Sequence, residues 1–309
     1  MRRTRGVPAR LDHLGDLARK FAWGVRTVGL PEALRGAVRL AALRWRRPER
    51  ARITLRSGPV LEYAVPAQVA PALVVFRDLI DPEFAFLRAV ARPDWLVLDV
   101  GAAIGQFTTF AARLPVAHVH AYEPNAANLE SLHRNLDLND VAARVSVHAA
   151  ALGETEGEVV FEETDNAYLS HLSSTGQGVR VPVHTLDAEV ERLGLDRVSV
   201  LKVNVAGHEP AALAGGSDLL RAGRADILVL LIGEQSLGAY QQCQQWGYRF
   251  FFFHPRRREL HPVTELSTAG LSRRPWPARH VIGVHQGAID RGLLASVAIL
   301  DRDHGATVG

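Results

Sequence analysis

The run Leu96-Val97-Leu98-Asp99-Val100, followed by Gly101-Ala102-Ala103-Ile104-Gly105, constrains this chain more than any other stretch. Five residues, apolar but for one acid, read as a strand buried on both faces. The glycines beyond it let the backbone turn tightly before a helical pattern resumes at Gln106. A buried parallel strand that ends this way delivers its C-terminal end to a nucleotide-like ligand. Val119-His120-Ala121-Tyr122-Glu123 repeats the arrangement one unit later. Glu123 stands 18 residues after Gly105, near the roughly 20-residue spacing at which a carboxylate meets a ribose hydroxyl pair. Together the two strands predict a cofactor site on an α/β sheet.

The glycine spacing says which cofactor. A dinucleotide fingerprint is G-x-G-x-x-G, whereas here the glycines form G-x-x-x-G with an acid two residues before the first. A pyrophosphate is held by uncompensated backbone N–H groups and not by a carboxylate at the strand end. Asp99 suits a ligand with a cationic amino group, and S-adenosylmethionine carries an ammonium at one end and a ribose nearer the other. Asp99-x-Gly101-x-Ala103-x-Gly105 resembles the D-x-G-x-G-x-G loop of class I methyltransferases, with Ala103 at the middle glycine.

Further along, strands alternate with helices: strand Val145–His148, an extra strand Val179–Val183, a short helix to Leu193 capped by Asp187, and strand Val198–Val203. A helix over Pro210–Leu220, the apolar strand Asp226–Ile232, a helix over Ser236–Gln245 and strands Tyr248–Phe253 and His280–Val284 complete the pattern. Such alternation implies a doubly wound parallel sheet. Ahead of it, Ile53–Leu55 and Val60–Val65 flank Ser57-Gly58-Pro59 as a hairpin, and residues 69–92 read as helical with a start at Asp81-Pro82. The boundaries expected are a basic helical arm over 1–50, a hairpin and helical cap over 51–93, the α/β domain over 94–285 and a tail over 286–309.

Charge is unevenly spread. Residues 1–50 hold twelve arginines and one lysine against four acids. Leu11, Leu14, Leu17, Ala18 and Phe21 recur there at helical spacing, so this arm packs as a solvated basic helix or touches an anionic or lipid surface. The single cysteine, Cys243, excludes an internal disulfide and a cysteine-rich metal cluster. With no apolar run of membrane-spanning length and no signal-peptide core after the first basic residues, a cytoplasmic protein is expected.

Six pieces stand in series: Asp99-Val-Gly-Ala-Ala-Ile-Gly105, Tyr122-Glu123-Pro124-Asn125, Asn135-Leu-Asp-Leu-Asn139, Ala151-Leu152-Gly153, His184-Thr185-Leu186-Asp187 and Lys202-Val-Asn-Val-Ala-Gly-His-Glu209. In this order they resemble the FkbM family of S-adenosylmethionine-dependent methyltransferases, over about residues 53–285. The resemblance implies a class I sheet of seven strands with the last reversed, and O-methylation of a sugar, glycolipid or secondary metabolite. It also implies that Asp99, Gly101, Ala102 and Gly105 line the methionine and ribose side, that Glu123 holds the ribose hydroxyls, and that Asn125 and Ala151 stand near the adenine. The chain departs from the family where the fourth strand usually ends K-[IV]-D-[VI]-E-G-x-E, because Asn204 and Ala206 replace the two acids. The fifth strand usually ends in glutamate, and here Glu234 comes late.

Methyl transfer to a hydroxyl needs proximity and removal of the acceptor's proton. His208, after a strand end that should face the methyl group, is the candidate base. Glu209 would orient it or position the acceptor, and Asn204 would hydrogen-bond a ligand. Tyr168, His171 and Ser173, in a polar stretch over 164–178, are candidate acceptor contacts. No histidine or carboxylate spacing suggests a metal. Nucleic acid is not expected as a partner, because the aromatics of a base-stacking surface are missing. The neutralised acids favour a second reading, a silent relative acting as a binding or partner subunit.

Overall fold

The sheet that carries the site has seven strands in chain order: β1 (Leu96–Val100), β2 (His118–Tyr122), β3 (Val145–His148), β4 (Val198–Val203), β5 (Ala225–Leu231), β6 (Tyr248–His254) and β7 (His280–His285). Across the sheet they lie in the order β3-β2-β1-β4-β5-β7-β6. The five from β3 to β5 pair in parallel, and β7 runs antiparallel to both β5 and β6. This is the doubly wound α/β sheet expected, with its last strand reversed. The computed structural model describes residues 29–65, 68, 71–162, 171–172, 178–272 and 278–300, with Ala22 and Val25.

Alternation along the strands builds a core on each face. Val97, Val200, Ile227 and Val229 enter one, while Leu98, Leu201, Leu228 and Leu230 enter the other. β4 is buried along its whole length. Helices therefore cover both faces, as a parallel sheet requires.

Two short strands widen the sheet to nine. Glu259–Pro262 pairs with β6, and Ala298–Ile299 pairs with Glu259–Pro262. The second lies in the segment expected to be a tail. Leu293, Leu294 and Val297 are apolar and need cover, so residues 286–300 turn through a helix, Gln286–Asp290, and fold onto the core. A separate four-stranded sheet follows β3, in the order Ala151–Leu152, Val179–His184, Gly157–Glu162, His171–Leu172.

Three helical expectations change in detail. The helix expected over Pro210–Leu220 is two, Glu209–Ala214 and Ser217–Arg221. The break falls at Gly215, where a Cβ would lie 1.9 Å from the Gly153 carbonyl oxygen. The stretch over 69–92 divides into Pro71–Phe76, a 3-10 turn Arg77–Ile80 and Glu83–Val90. Helix Leu186–Arg192 is capped by Thr185, whose Oγ1 accepts from the Ala188 amide, and not by Asp187. Asp187 instead accepts from the Asp218 and Leu219 amides and caps helix Ser217–Arg221.

Helix Leu30–Arg46 carries Pro31 in its first turn and buries Ala33 and Gly36. Leu30, Leu34, Val38 and Trp45 remain exposed along it. No helix among the described residues is long and apolar enough to cross a membrane.

The hairpin Arg50–Thr54 and Val60–Ala64 is fixed to helix Ala126–Leu138 by the two asparagines of the N-x-x-x-N piece. Asn135 accepts from the Glu62 amide and donates to the Glu62 carbonyl, at 2.7 and 3.0 Å. Asn139 treats Val60 in the same way, at 2.8 and 2.7 Å. Four helical residues rise about 6 Å, and two strand residues rise about 6.7 Å, so the two amides meet alternate residues of the free strand edge. Asn135 also donates to the Ile104 carbonyl and so reaches the glycine loop. Asn135→Ala should destabilise the fold by about 3 kcal/mol, because it leaves several buried backbone groups unsatisfied. Urea unfolding measures this, and a loss under about 1 kcal/mol would show the contact to be incidental.

Candidate active site

Strand order reverses direction between β1 and β4, and the crevice at such a switch point is where open α/β sheets bind ligands. The loop after β1 fills one side of it. Gly101, Ala103 and Gly105 all take positive φ, at 78°, 50° and 89°. The amides of Gly101 and Ala102 both donate to the Tyr122 carbonyl, which bends the loop over the end of β2. Gly101 packs directly on the chain leaving β4, where a Cβ would lie 2.1 Å from the Asn204 carbonyl oxygen.

Asp99 sits differently from its expected place at a ligand ammonium. It is fully buried, with one oxygen 2.7 Å from Lys202 Nζ and the other accepting from Thr108 Oγ1 at 2.6 Å. Lys202 also donates to the Gly101 carbonyl at 2.7 Å. The pair joins β1 to β4 beneath the crevice, so Asp99 shapes the loop from below.

Glu123 stands at the end of β2 and is buried. One oxygen accepts from the Ala103 amide at 2.8 Å, and the other from the Asn125 amide at 3.0 Å and Asn128 Nδ2 at 3.3 Å. Burial pushes its carboxyl up, and these donors oppose the shift. Three donors leave one of a carboxylate's roughly four lone-pair positions for a ligand hydroxyl. With the open-backbone loop beside it, this donor set fits a ribose-bearing cofactor. Asn125 caps helix Ala126–Leu138 by accepting from the Asn128 amide. Ala151 lies past the end of β3, paired with Val183.

Beyond β4 the chain turns sharply at Ala206 and Gly207, both at positive φ. Glu209, expected to serve His208 or the acceptor, is buried and builds this turn. It accepts from the Val205 and Gly207 amides and from Ser236 Oγ. His208 is half-buried at the start of helix Glu209–Ala214. Asn204 Nδ2 lies 3.1 Å from His280 Nε2. Of the expected acceptor contacts, Tyr168 and Ser173 lie outside the described residues. His171 lies in the short strand opposite Glu162.

The residues that sequence reasoning missed are those facing Asn204. Reversal of β7 sets His280 opposite Leu231, at the ligand end of β5. His280 Nδ1 is 2.7 Å from Glu83 Oε1, and both residues are buried. Asp81 accepts from Arg279 at 2.6 and 2.8 Å and from Gln106 at 2.8 Å. Burial pushes the Glu83 carboxyl up to about 7. Burial, with Arg279 close by, holds the His280 imidazole down at about 3. Donor atoms of Asp81, Glu83 and His280 lie within 4.8 Å of one another, but Arg279 and Gln106 already take up both Asp81 oxygens.

Residues 99–264, just over half the chain, match the family model described as the methyltransferase FkbM domain. Among characterised proteins, 31-O-demethyl-FK506 methyltransferase FkbM of Streptomyces tacrolimicus is 28% identical over 160 residues, covering 41% of this chain and 61% of that protein. Methyltransferase 1 of Beauveria bassiana is 29% identical over 149 residues, covering 40% of this chain and 59% of that one. The chain thus spans about three fifths of each of these relatives. Among solved structures, methyltransferase FkbM of Methylobacillus flagellatus KT is similar at 15% identity and a TM-score of 0.43, over 71% of this chain and 56% of that one.

Proposed function

The chain belongs to the FkbM methyltransferase family, and on that footing we propose that it transfers a methyl group from S-adenosylmethionine to a hydroxyl of a sugar, glycolipid or secondary metabolite. The observation that carries this reading is the Glu123 carboxylate, joined to the Gly101–Gly105 loop at the Ala103 amide and left with one acceptor position. Glu123 would hold a ribose hydroxyl. Gly101, Ala102 and Gly105 would pass beneath the methionine end, with Asp99 and Lys202 keeping the loop in place, and Asn125 and Ala151 would border the adenine. The donor supplies an electrophilic methyl group when bound. The protein's own task is to place the acceptor hydroxyl at the ends of β4 and β5, beside Asn204 and His208, and to take its proton. The Streptomyces tacrolimicus relative, by name a 31-O-demethyl-FK506 methyltransferase, supports such an acceptor.

Calorimetric titration with S-adenosylhomocysteine tests the cofactor half. Micromolar binding is expected, and Glu123→Ala should weaken it about 100-fold, or ~2.7 kcal/mol. Unchanged affinity in a folded Glu123→Ala protein would remove the reading's main support. Asn204 and Ala206, standing where the family usually carries acids, favour one rival: a silent relative that binds the cofactor without using it. Binding by the wild type with no methyl transfer to a broad panel of glycosides would favour that rival.

A further inference from the structure

The group that takes the acceptor's proton is better sought on β7 than after β4. We propose that His280 and Glu83 form a proton relay at the switch-point crevice, in which His280 Nε2 receives the hydroxyl proton while its Nδ1 proton passes to Glu83, and that Asn204 partners Nε2 in either tautomer until the hydroxyl takes its place. The proposal rests on the O-methyltransferase reading for its substrate.

The geometry is a continuous line. Glu83 Oε1, His280 Nδ1, His280 Nε2 and Asn204 Nδ2 are linked at 2.7 and 3.1 Å. The line runs from the buried start of helix Glu83–Val90 to a half-buried residue at the end of β4. With the Asn204 amide nitrogen turned to the ring, the nitrogen facing it presents a lone pair and the ring proton lies on the Glu83 side. A hydroxyl that takes the place of the Asn204 amide meets that lone pair.

The second observation is the other Glu83 oxygen. Oε2 is buried and without a hydrogen-bond partner. An ionised carboxylate with one bare oxygen is costly to keep buried, which makes this group ready to accept a proton. The surrounding charges say why the proton does not stop on the ring. His280 faces Glu83 and Asp81 from the segment before β1, Asp99 from β1, Lys202 from β4 and Arg279 from β7. Asp81 and Asp99 are already paired with Arg279 and Lys202. An imidazolium would stand between two cations, whereas passing the Nδ1 proton onward leaves the ring neutral and Glu83 as the neutral acid. In the full step the acceptor O–H bond breaks and its electron pair forms the O–CH3 bond. The S–CH3 pair returns to sulfur, and the proton ends on the relay. His280 is then the catalytic residue, with Glu83 as the proton store.

The relay gives the Asn204 departure a chemical sense. As the ring changes tautomer its Nε2 changes from acceptor to donor. An amide serves both by presenting nitrogen or oxygen, and a carboxylate serves only the second.

The test reads protons directly, on the chain alone, with 15N-labelled histidine and 13C-labelled glutamate followed by NMR across neutral pH. One carboxyl should take up its proton near 7 and vanish in Glu83→Gln, with His280 staying neutral and changing tautomer in the same transition. Stability carries the same signature. A folded-state value above the unfolded 4.5 means that stability is full below 4.5 and is lost as pH rises through about 7, and Glu83→Gln should flatten that slope. Asn204→Asp should pin the Nε2–H tautomer, and it and His280→Asn should each lower kcat about 100-fold or more while S-adenosylhomocysteine affinity is kept. An imidazolium at His280 at neutral pH, Glu83 titrating in the ordinary carboxylate range, or transfer that survives His280→Asn but not His208→Ala would overturn the relay. So would transfer that EDTA abolishes and a divalent cation restores, which would give these side chains to a metal. Failure of the parent reading shows separately, as a folded wild type that does not bind S-adenosylhomocysteine.

Discussion

Lys202→Met should cost about 3–5 kcal/mol of folding stability, the loss typical of removing one partner of a buried ion pair. Asp99 would keep its hydrogen bond from Thr108 but lose the only cation within ion-pairing distance among the described residues. The carboxylate is fully buried, so solvent cannot compensate it. The double variant Asp99→Asn with Lys202→Met should be more stable than Lys202→Met alone, because the stranded charge is gone. Urea unfolding of the three proteins measures all of this. A double variant no more stable than the single one would show that Lys202 contributes packing and little charge.

Gly101→Ala should be nearly as severe, at about 2–5 kcal/mol, by a different route. Its positive φ costs an L side chain roughly 1–2 kcal/mol, and a Cβ 2.1 Å from the Asn204 carbonyl forces backbone apart, where overpacking adds about 1–3 kcal/mol. The displaced backbone is the floor of the crevice, so S-adenosylhomocysteine binding should go with it. Gly105→Ala is the control. Its φ is also positive, but its Cβ would meet the tip of the Leu132 side chain at 2.5 Å, and a side-chain tip can move. Thermal unfolding and calorimetry on both variants should rank Gly101→Ala as the worse, and the reverse ranking would mean that the β1–β4 contact is not what the glycine protects.

Legibility in the sequence followed the range of the interactions. The strands and the Glu123 position were readable because each rests on a local apolar run with a turn at its end. The His280–Glu83 contact was not, since 197 positions separate the two and they meet only because β7 runs backwards beside β5. Asp187 was read as the nearest cap because capping is usually local, yet it serves a helix 31 residues away. The edge strands Glu259–Pro262 and Ala298–Ile299 are too short to leave a periodic signal, and pairing alone defines them. Asn135 and Asn139 signalled the family before they signalled a role. Their partners are backbone atoms, which no sequence pattern displays.

That last attachment bears on how the protein can change. The two amides grip the peptide groups of Val60 and Glu62, whose side chains take no part in those bonds. A contact of this kind is blind to residue identity on the hairpin side, provided that proline does not remove a donor. Of the hairpin's hold on the helix whose cap reaches Glu123, this part therefore survives substitution at Val60 and Glu62, while Ile53, Leu61 and Tyr63 stay tied to the core through their side chains. Selection acting on that peptide grip falls on two asparagines and not on the identity of the two residues they hold.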